Sequence, residues 1–322
     1  MLRQDRLRAL IACAFILVLS LSFPALAAKD KAKKKQGLPK GTSVLWREPS
    51  DIASRDLYLG PGGAEMRPRL HRLKFIKEEK GGYSKKFRVR DGAGREWVAK
   101  IGKEAQSETA AVRLLWAVGY VTEINYLVPR VTIPGKGTFE NVRFEARPKQ
   151  IKRLEEWKWD KNPFVGTRVF QGLKVMMALL NNWDIKDSNN EILLVHSARG
   201  NELQYIISDL GATFGKSGSL PIIWRFTRNR NNPEDYAKAK FLDEVKNDYV
   251  FFHYNGKRND LFDDISVPDA RWIASWLARL SEPQIRDAFR AANYSREEID
   301  LLTEAVRGRI EELRTLSREE PR

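Results

Sequence analysis

The residues with the clearest chemical potential lie in one short string, Asn181-Asn182-Trp183-Asp184-Ile185-Lys186-Asp187-Ser188-Asn189-Asn190-Glu191-Ile192-Leu193. It places a carboxylate at Asp184, an ammonium at Lys186 and a carboxamide at Asn189, and then runs into an apolar segment. A second string, Ile206-Ile207-Ser208-Asp209-Leu210-Gly211, ends another apolar segment on a carboxylate. Phosphoryl transfer asks little covalent chemistry of a protein. It needs a carboxylate near the acceptor, hard oxygen ligands for Mg²⁺ or Mn²⁺ and cations on the phosphates. Asp184 suits orientation or deprotonation of an acceptor, and Lys186 suits charge on the transferred group. Asn189 and Asp209 suit metal ligation, and Gly211 lets the chain turn sharply behind Asp209.

These strings resemble the protein-kinase-like superfamily. Asp184, Lys186 and Asn189 match the D-x-K-x-x-N catalytic loop, and Ser208-Asp209-Leu210-Gly211 resembles the metal-binding segment that follows it. Upstream, Trp97-Val98-Ala99-Lys100 resembles the strand of the phosphate-binding lysine. Glu108 resembles that lysine's partner, with Glu104 one turn earlier on the same helix face as its rival. Residues 80–87, including Gly81, Gly82, Ser84 and Lys86, stand where a glycine-rich phosphate loop would lie.

The departures define the branch. No His-Arg precedes Asp184, only Gly81-Gly82 serve the phosphate loop, and no Ala-Pro-Glu follows Asp209. The chain thus looks like an atypical, bacterial exported branch, distantly similar to HipA-type, phosphoinositide-type and secretory-pathway kinases. The resemblance implies an ATP- or other nucleotide-dependent phosphotransferase, or a nucleotidyl transferase, with Mg²⁺ or Mn²⁺ and an acceptor of unstated identity: protein, lipid or small molecule. The rival is a non-enzymatic kinase-like binding module, since ATP is scarce outside a bacterial cytoplasm.

The elements that must position these groups follow from periodicity. Strands are expected at residues 73–76, around 87–89 and at 97–101, with turns at Gly81-Gly82 and Asp91–Gly94. Residues 104–118 form a helix on the spacing of Ala111, Leu114, Leu115 and Val118, ended by Gly119. Further strands fall in 126–146, at 191–195 and at 204–207, and a helix at 172–182. Helices at 270–280, 282–292 and 296–316 close the chain, with Ser281 and Ser295 as N-caps and a capping box from Ser295 to Glu298. This is an α+β, two-lobed arrangement: residues 46–148 a strand-rich N-lobe and 149–322 a mainly helical C-lobe. The two strands at 191–207 should bring Asn189 and Asp209 to one edge facing Lys100, with Asp184 clamped by no cation other than Lys186. Arg225, Arg228 and Arg230 follow, either near the acceptor or on a solvated loop.

Composition sets the compartment. Arg3, Arg6 and Arg8, the apolar run Leu10–Leu21 and Ala25-Leu26-Ala27 read as a signal peptide over residues 1–27, so the body is expected in the periplasm, cell envelope or medium. Residues 28–45 read as a basic linker suited to an anionic membrane surface. The net charge is +15, of which residues 1–40, with nine basic and two acidic side chains, hold +7. The remainder fits an anionic ligand and does not call for specific nucleic acid. The one cysteine, Cys13, lies inside the signal segment and the three histidines are scattered, which excludes disulfides and argues against a zinc hydrolase.

Overall fold

Alternation of charged and apolar residues in the segment Lys85-Lys86-Phe87-Arg88-Val89-Arg90 makes one face of a strand apolar and the other cationic. The computed structural model, which describes residues 37–80, 84–198, 200–218 and 227–317, builds a sheet on that alternation. The strands are β2 (Lys74–Glu79), β3 (Lys85–Arg90), β4 (Glu96–Ile101), β5 (Asn125–Ile133) and β6 (Gly137–Ala146), and β1 (Thr42–Val44) lies elsewhere. The five pair antiparallel in the order β2-β3-β4-β6-β5. Phe87, Val89, Trp97, Ala99, Val128 and Phe144 close an apolar cluster on one side. Lys86, Lys100 and Arg143 stand side by side on the other, because Lys86 pairs with Lys100 and Lys100 with Arg143.

Helix α1 (Glu104–Ala117) connects β4 to β5 and is buried almost all round. Its Ala110, Ala111, Leu114 and Leu115 belong to a second and larger core, formed mainly by the C-terminal part of the chain. That part contains α2 (Arg168–Leu179), the hairpin β8 (Asn190–Ser197) and β9 (Gly200–Ile207), α3 (Pro233–Lys238) and the hairpin β10 (Leu242–Lys246) and β11 (Tyr249–Phe252). Helices α4 (Val267–Leu277), α5 (Glu282–Ala291) and α6 (Arg296–Arg314) complete it. The mixed architecture expected from sequence is therefore found: a strand-rich sheet region followed by a mainly helical part. Capping boxes start α5 at Ser281 with Gln284 and α6 at Ser295 with Glu298.

One boundary is corrected. The basic linker was expected to run to residue 45, yet β1 pairs parallel with β9 and Leu45 is buried. The short strand β7 (Lys152–Arg153) flanks β8 on the other side. Three strand residues followed by one buried leucine give too little periodicity to stand out beside a lysine-rich run. The hairpin of β10 and β11 also escaped the sequence reading. The expected signal peptide, most of the linker, Gly81 and Gly82 lie outside the described residues. Among the described residues no helix is long and apolar enough to cross a membrane.

The end of α1 tests the fold. Gly119 has φ +101°, and a β-carbon there would lie 2.2 Å from the carbonyl oxygen of Arg47. Gly308, inside α6, has open space around it. Gly119→Ala should lose roughly 2–4 kcal/mol of stability, from strain and displaced backbone. Gly308→Ala should gain about 0.5–1 kcal/mol by helix propensity. Urea midpoints of the two variants check both signs.

Candidate functional site

The order of β4 and α1 places a lysine on a strand opposite two helical carboxylates one turn apart. Lys100 Nζ lies 2.9 Å from Glu108 Oε2, 3.0 Å from Glu104 Oε1 and 3.5 Å from Asp209 Oδ1. Glu108, the expected partner, and Glu104, its rival, thus both reach it. Burial favours the neutral amine, but Glu108, Asp209 and Glu104 outweigh burial and the opposing Arg143, so the ammonium titrates well above its usual range. Glu104 is also held by the Ser84 hydroxyl and by Arg230 Nη1 at 2.5 Å. Ser84, expected on the ligand, therefore has its hydroxyl committed to Glu104. Lys86 lines the same cleft without a carboxylate partner among the described residues. Burial, reinforced by repulsion from Lys100, lowers its affinity for a proton.

The hairpin β8–β9 brings the downstream motifs together. Asn190 pairs with Ile207, and the Asn189 carbonyl accepts the backbone N–H groups of Ser208 at 2.7 Å and Asp209 at 3.3 Å. Asn189 and Asp209 both line the cleft that contains Lys100. Asn189 Nδ2 donates to the Asp184 carbonyl at 2.8 Å, which leaves Oδ1 without a protein donor among the described residues. Asp209 Oδ1 accepts Gly211 N–H at 3.1 Å and faces Lys100, and Oδ2 is likewise uncommitted. Burial raises the Asp209 carboxyl, yet Lys100, the Gly211 amide, Arg143 and Lys86 together hold it below the ordinary carboxylate range. Two uncommitted hard oxygens on adjoining strand ends fit Mg²⁺ or Mn²⁺, which take few protein ligands and keep several waters. Among the described residues no group of three or more His, Cys, Asp or Glu side chains forms a metal cluster.

Asp184 is not as expected. Lys186 Nζ lies 3.1 Å from its Oδ2, but Lys257 Nζ lies 2.6 Å from its Oδ1. The expectation of no clamp beyond Lys186 is corrected. Lys257 follows β11, separated from Asp184 by 73 residues, and no local motif announces it. The Gly256 turn that precedes it was the only available hint.

Sequence reading also missed an ion-pair cluster on the cleft face of the sheet. Arg143 Nη2 contacts Glu108 Oε1 at 2.9 Å and Glu145 Oε2 at 2.8 Å. Arg147 pairs with Glu145, and Arg153 with Glu123, Glu145 and Glu191. The alternation Val142-Arg143-Phe144-Glu145 carried this signal, since it gives a strand a charged face. The cleft enclosed by Lys86, Lys100, this cluster, Asn189 and Asp209 measures about 230 Å³. Val98 is the one apolar side chain among the described residues lining it. A larger cavity of about 620 Å³ lies beyond the cluster, sharing Glu123, Arg147 and Arg153 as its wall.

No family model matches the sequence, and no curated protein matches it. Among solved structures, the proinflammatory kinase CtkA of Helicobacter pylori aligns over 77% of this chain and 96% of its own, with 13% identity and a TM-score of 0.48. The Rio2 kinase of Chaetomium thermophilum, solved as an ADP/Mg²⁺–phosphoaspartate complex, aligns over 74% and 72% with 11% identity and a TM-score of 0.31.

The buried carboxylates predict an acid response. Burial acts against ionised Glu104, Glu123 and Asp209, but Lys100 for the first and last, and Arg153, Arg147 and Arg143 for Glu123, hold all three below their ordinary values. A carboxylate depressed in the folded state contributes stability above its unfolded pKa and loses it as pH falls through its folded pKa. Glu108, pushed up by burial against Arg143 and Lys100, acts with the opposite sign. The net expectation is a loss of stability from about pH 4.5 downward. Glu123→Gln should cost about 3–5 kcal/mol at neutral pH, by stranding buried guanidinium charge, and should flatten the acid response. Urea titrations at pH 7, 5 and 3.5 measure both effects.

Proposed function

We propose that the protein is a kinase-like phosphotransferase that uses a Mg²⁺- or Mn²⁺-bound nucleotide, ATP or another. The observation that carries the reading is the convergence, in one cleft, of Lys100 held by Glu104 and Glu108 with the uncommitted oxygens of Asn189 and Asp209. A scaffold has no use for such an arrangement, because unpartnered polar oxygens cost stability when they are drawn out of bulk water.

In this reading Lys100 and Lys86 hold the phosphates, and Glu108 and Glu104 orient Lys100. Asn189 and Asp209 would hold the metal ion, whose contribution is to neutralise charge on the phosphate oxygens. An acceptor hydroxyl oxygen forms the new bond to phosphorus. The bond to the departing phosphate breaks, with its electron pair leaving on that phosphate's oxygen. The hydroxyl proton passes to Asp184, and Lys186 faces the transferred group. Nucleotidyl transfer would use the same groups on a different phosphorus. The lobes at 46–148 and 149–322, the export of the protein and the contact of its linker with an anionic membrane belong to the same proposal.

A second reading, a non-enzymatic binding module, is favoured by one observation. Both oxygens of Asp184 are occupied by lysines, and among the described residues the cleft next to Lys100 is lined by charged and polar side chains with Val98 as its one apolar member.

Thermal shift of the purified full chain with ATP or GTP and Mg²⁺ or Mn²⁺ separates the two. Wild type should be stabilised by nucleotide only with metal present. Asp209→Asn should weaken that binding at least about tenfold, near 1.4 kcal/mol, with the fold intact. Asp184→Asn should still bind and should lose transfer of labelled phosphate. A wild type that ignores metal and nucleotide, with Asp209→Asn behaving alike, would establish the binding module.

A further inference from the structure

Asp184 stands at the border of a second space, a cavity of about 510 Å³ that opens from Asp209 and Asn189 towards Trp183, Lys186, Arg228, Arg230 and Lys257. Its described lining carries five cations, Lys86, Lys186, Arg228, Arg230 and Lys257, against the three carboxylates Glu104, Asp184 and Asp209. Glu104 and Asp209 are engaged with Lys100, and Glu104 also pairs with Arg230, while Asp184 meets the two outer lysines, Lys186 and Lys257.

The cations are set by built structure. Lys257 N–H donates to the Trp183 carbonyl at 2.9 Å. The Tyr254 hydroxyl donates to the carbonyls of Asn182 at 2.7 Å and Lys257 at 3.0 Å. Gly256 is pressed so closely that a β-carbon would lie 2.2 Å from the Tyr254 hydroxyl and 2.7 Å from Trp183 Cα. The loop that carries Lys257 is therefore moulded onto the residues just before Asp184. On the opposite flank, the guanidinium groups of Arg228 and Arg230 stand 4.0 Å and 4.9 Å from the centre of the Trp183 ring. Trp183 Nε1 donates to the Asn229 carbonyl at 2.7 Å, which fixes that segment.

We infer that this cavity is the acceptor subsite and that the acceptor is an anionic hydroxyl compound, its hydroxyl sharing a small frame with a phosphate or carboxylate group. The inference rests on the phosphotransferase reading for the word acceptor, and on the geometry alone for the anion. In this structure Asp184 takes the place of the anionic group, one lysine on each oxygen. An arriving phosphate or carboxylate offers Lys257 and Lys186 an equivalent charge-assisted partner. Transfer of Lys257 from Asp184 to the acceptor's anion would free Oδ1 to take the acceptor's proton. Recognition of the right acceptor and uncovering of the base are then one event, and water, which carries no anionic group, leaves the clamp closed.

The test uses three small compounds on one frame: glycerol 3-phosphate, glycerate and glycerol, titrated calorimetrically into the full chain at constant ionic strength. The phosphate or the carboxylate compound should bind and glycerol should not, with the stronger of the two naming the anion. Lys257→Met should weaken that binding at least tenfold, Lys257→Arg should restore most of it, and the response to metal and nucleotide should be unchanged in both. Equal binding of all three compounds, or of none, overturns the inference. So does anion binding that is lost in Lys100→Met and kept in Lys257→Met, since the anion would then occupy the phosphate end of the cleft. If wild type ignores nucleotide yet binds the anion through Lys257, the phosphotransferase reading falls and the anion site stands.

Discussion

Three cations stand shoulder to shoulder across the sheet, Lys86 on β3, Lys100 on β4 and Arg143 on β6. Like charges directly opposite one another on neighbouring strands repel, and two of these are almost completely removed from water. The arrangement survives because a single carboxylate, Glu108, lies between two of them, 2.9 Å from Lys100 and 2.9 Å from Arg143. Much of the rest follows from that constraint. Helix α1 must approach the sheet closely enough to deliver Glu108, and Arg143 then needs Glu145, which in turn engages Arg147 and Arg153. Among the described residues, Lys86 is left as the member of the row without an ion pair.

The division of the apolar residues serves the same end. The sheet keeps Phe87, Trp97 and Phe144 on the face away from the cleft. Helix α1 gives its alanines and leucines to the larger core. Neither core claims the surface between β4 and α1, so that surface is free to be ionic. A charged seam between two apolar masses is costly to form by halves: removing one member strands the others in a low dielectric. The seam thus holds Lys100 in one position while a ligand comes and goes.

On the far side of the seam the same economy is applied to Asp184. Its backbone carbonyl is tied to Asn189, and its carboxylate is tied to Lys186 and Lys257. The two ends of the site differ in kind. Asn189 and Asp209 each present one oxygen with no donor among the described residues, while Asp184 presents oxygens that are both engaged. A cation is wanted at the first place and must be displaced at the second.

Much of this was legible in the residues themselves. Period-two alternation marked the strands, period-3.6 spacing marked α1, and Ser281 and Ser295 marked the starts of the last helices, because each is a local signal written within a few residues. The convergence of Asn189 with Asp209 could also be read, since a tight hairpin leaves its two strand ends no freedom to diverge. Glu108 was visible as the partner of Lys100, with Glu104, one turn earlier on the same helix face, as its rival, and the structure uses both. Three things were decided only by the tertiary structure. Strand order set Arg143 next to Lys100, because β6 inserts between β4 and β5 and no pattern within a strand names its neighbour. Packing of β1 against β9 drew residues 42–45 out of the expected linker and into the fold. The moulding of the Tyr254–Lys257 loop onto Trp183 put a second lysine on Asp184. A contact across 73 residues depends on how intervening elements pack, and that information is distributed over the whole core instead of being written beside the residues it joins.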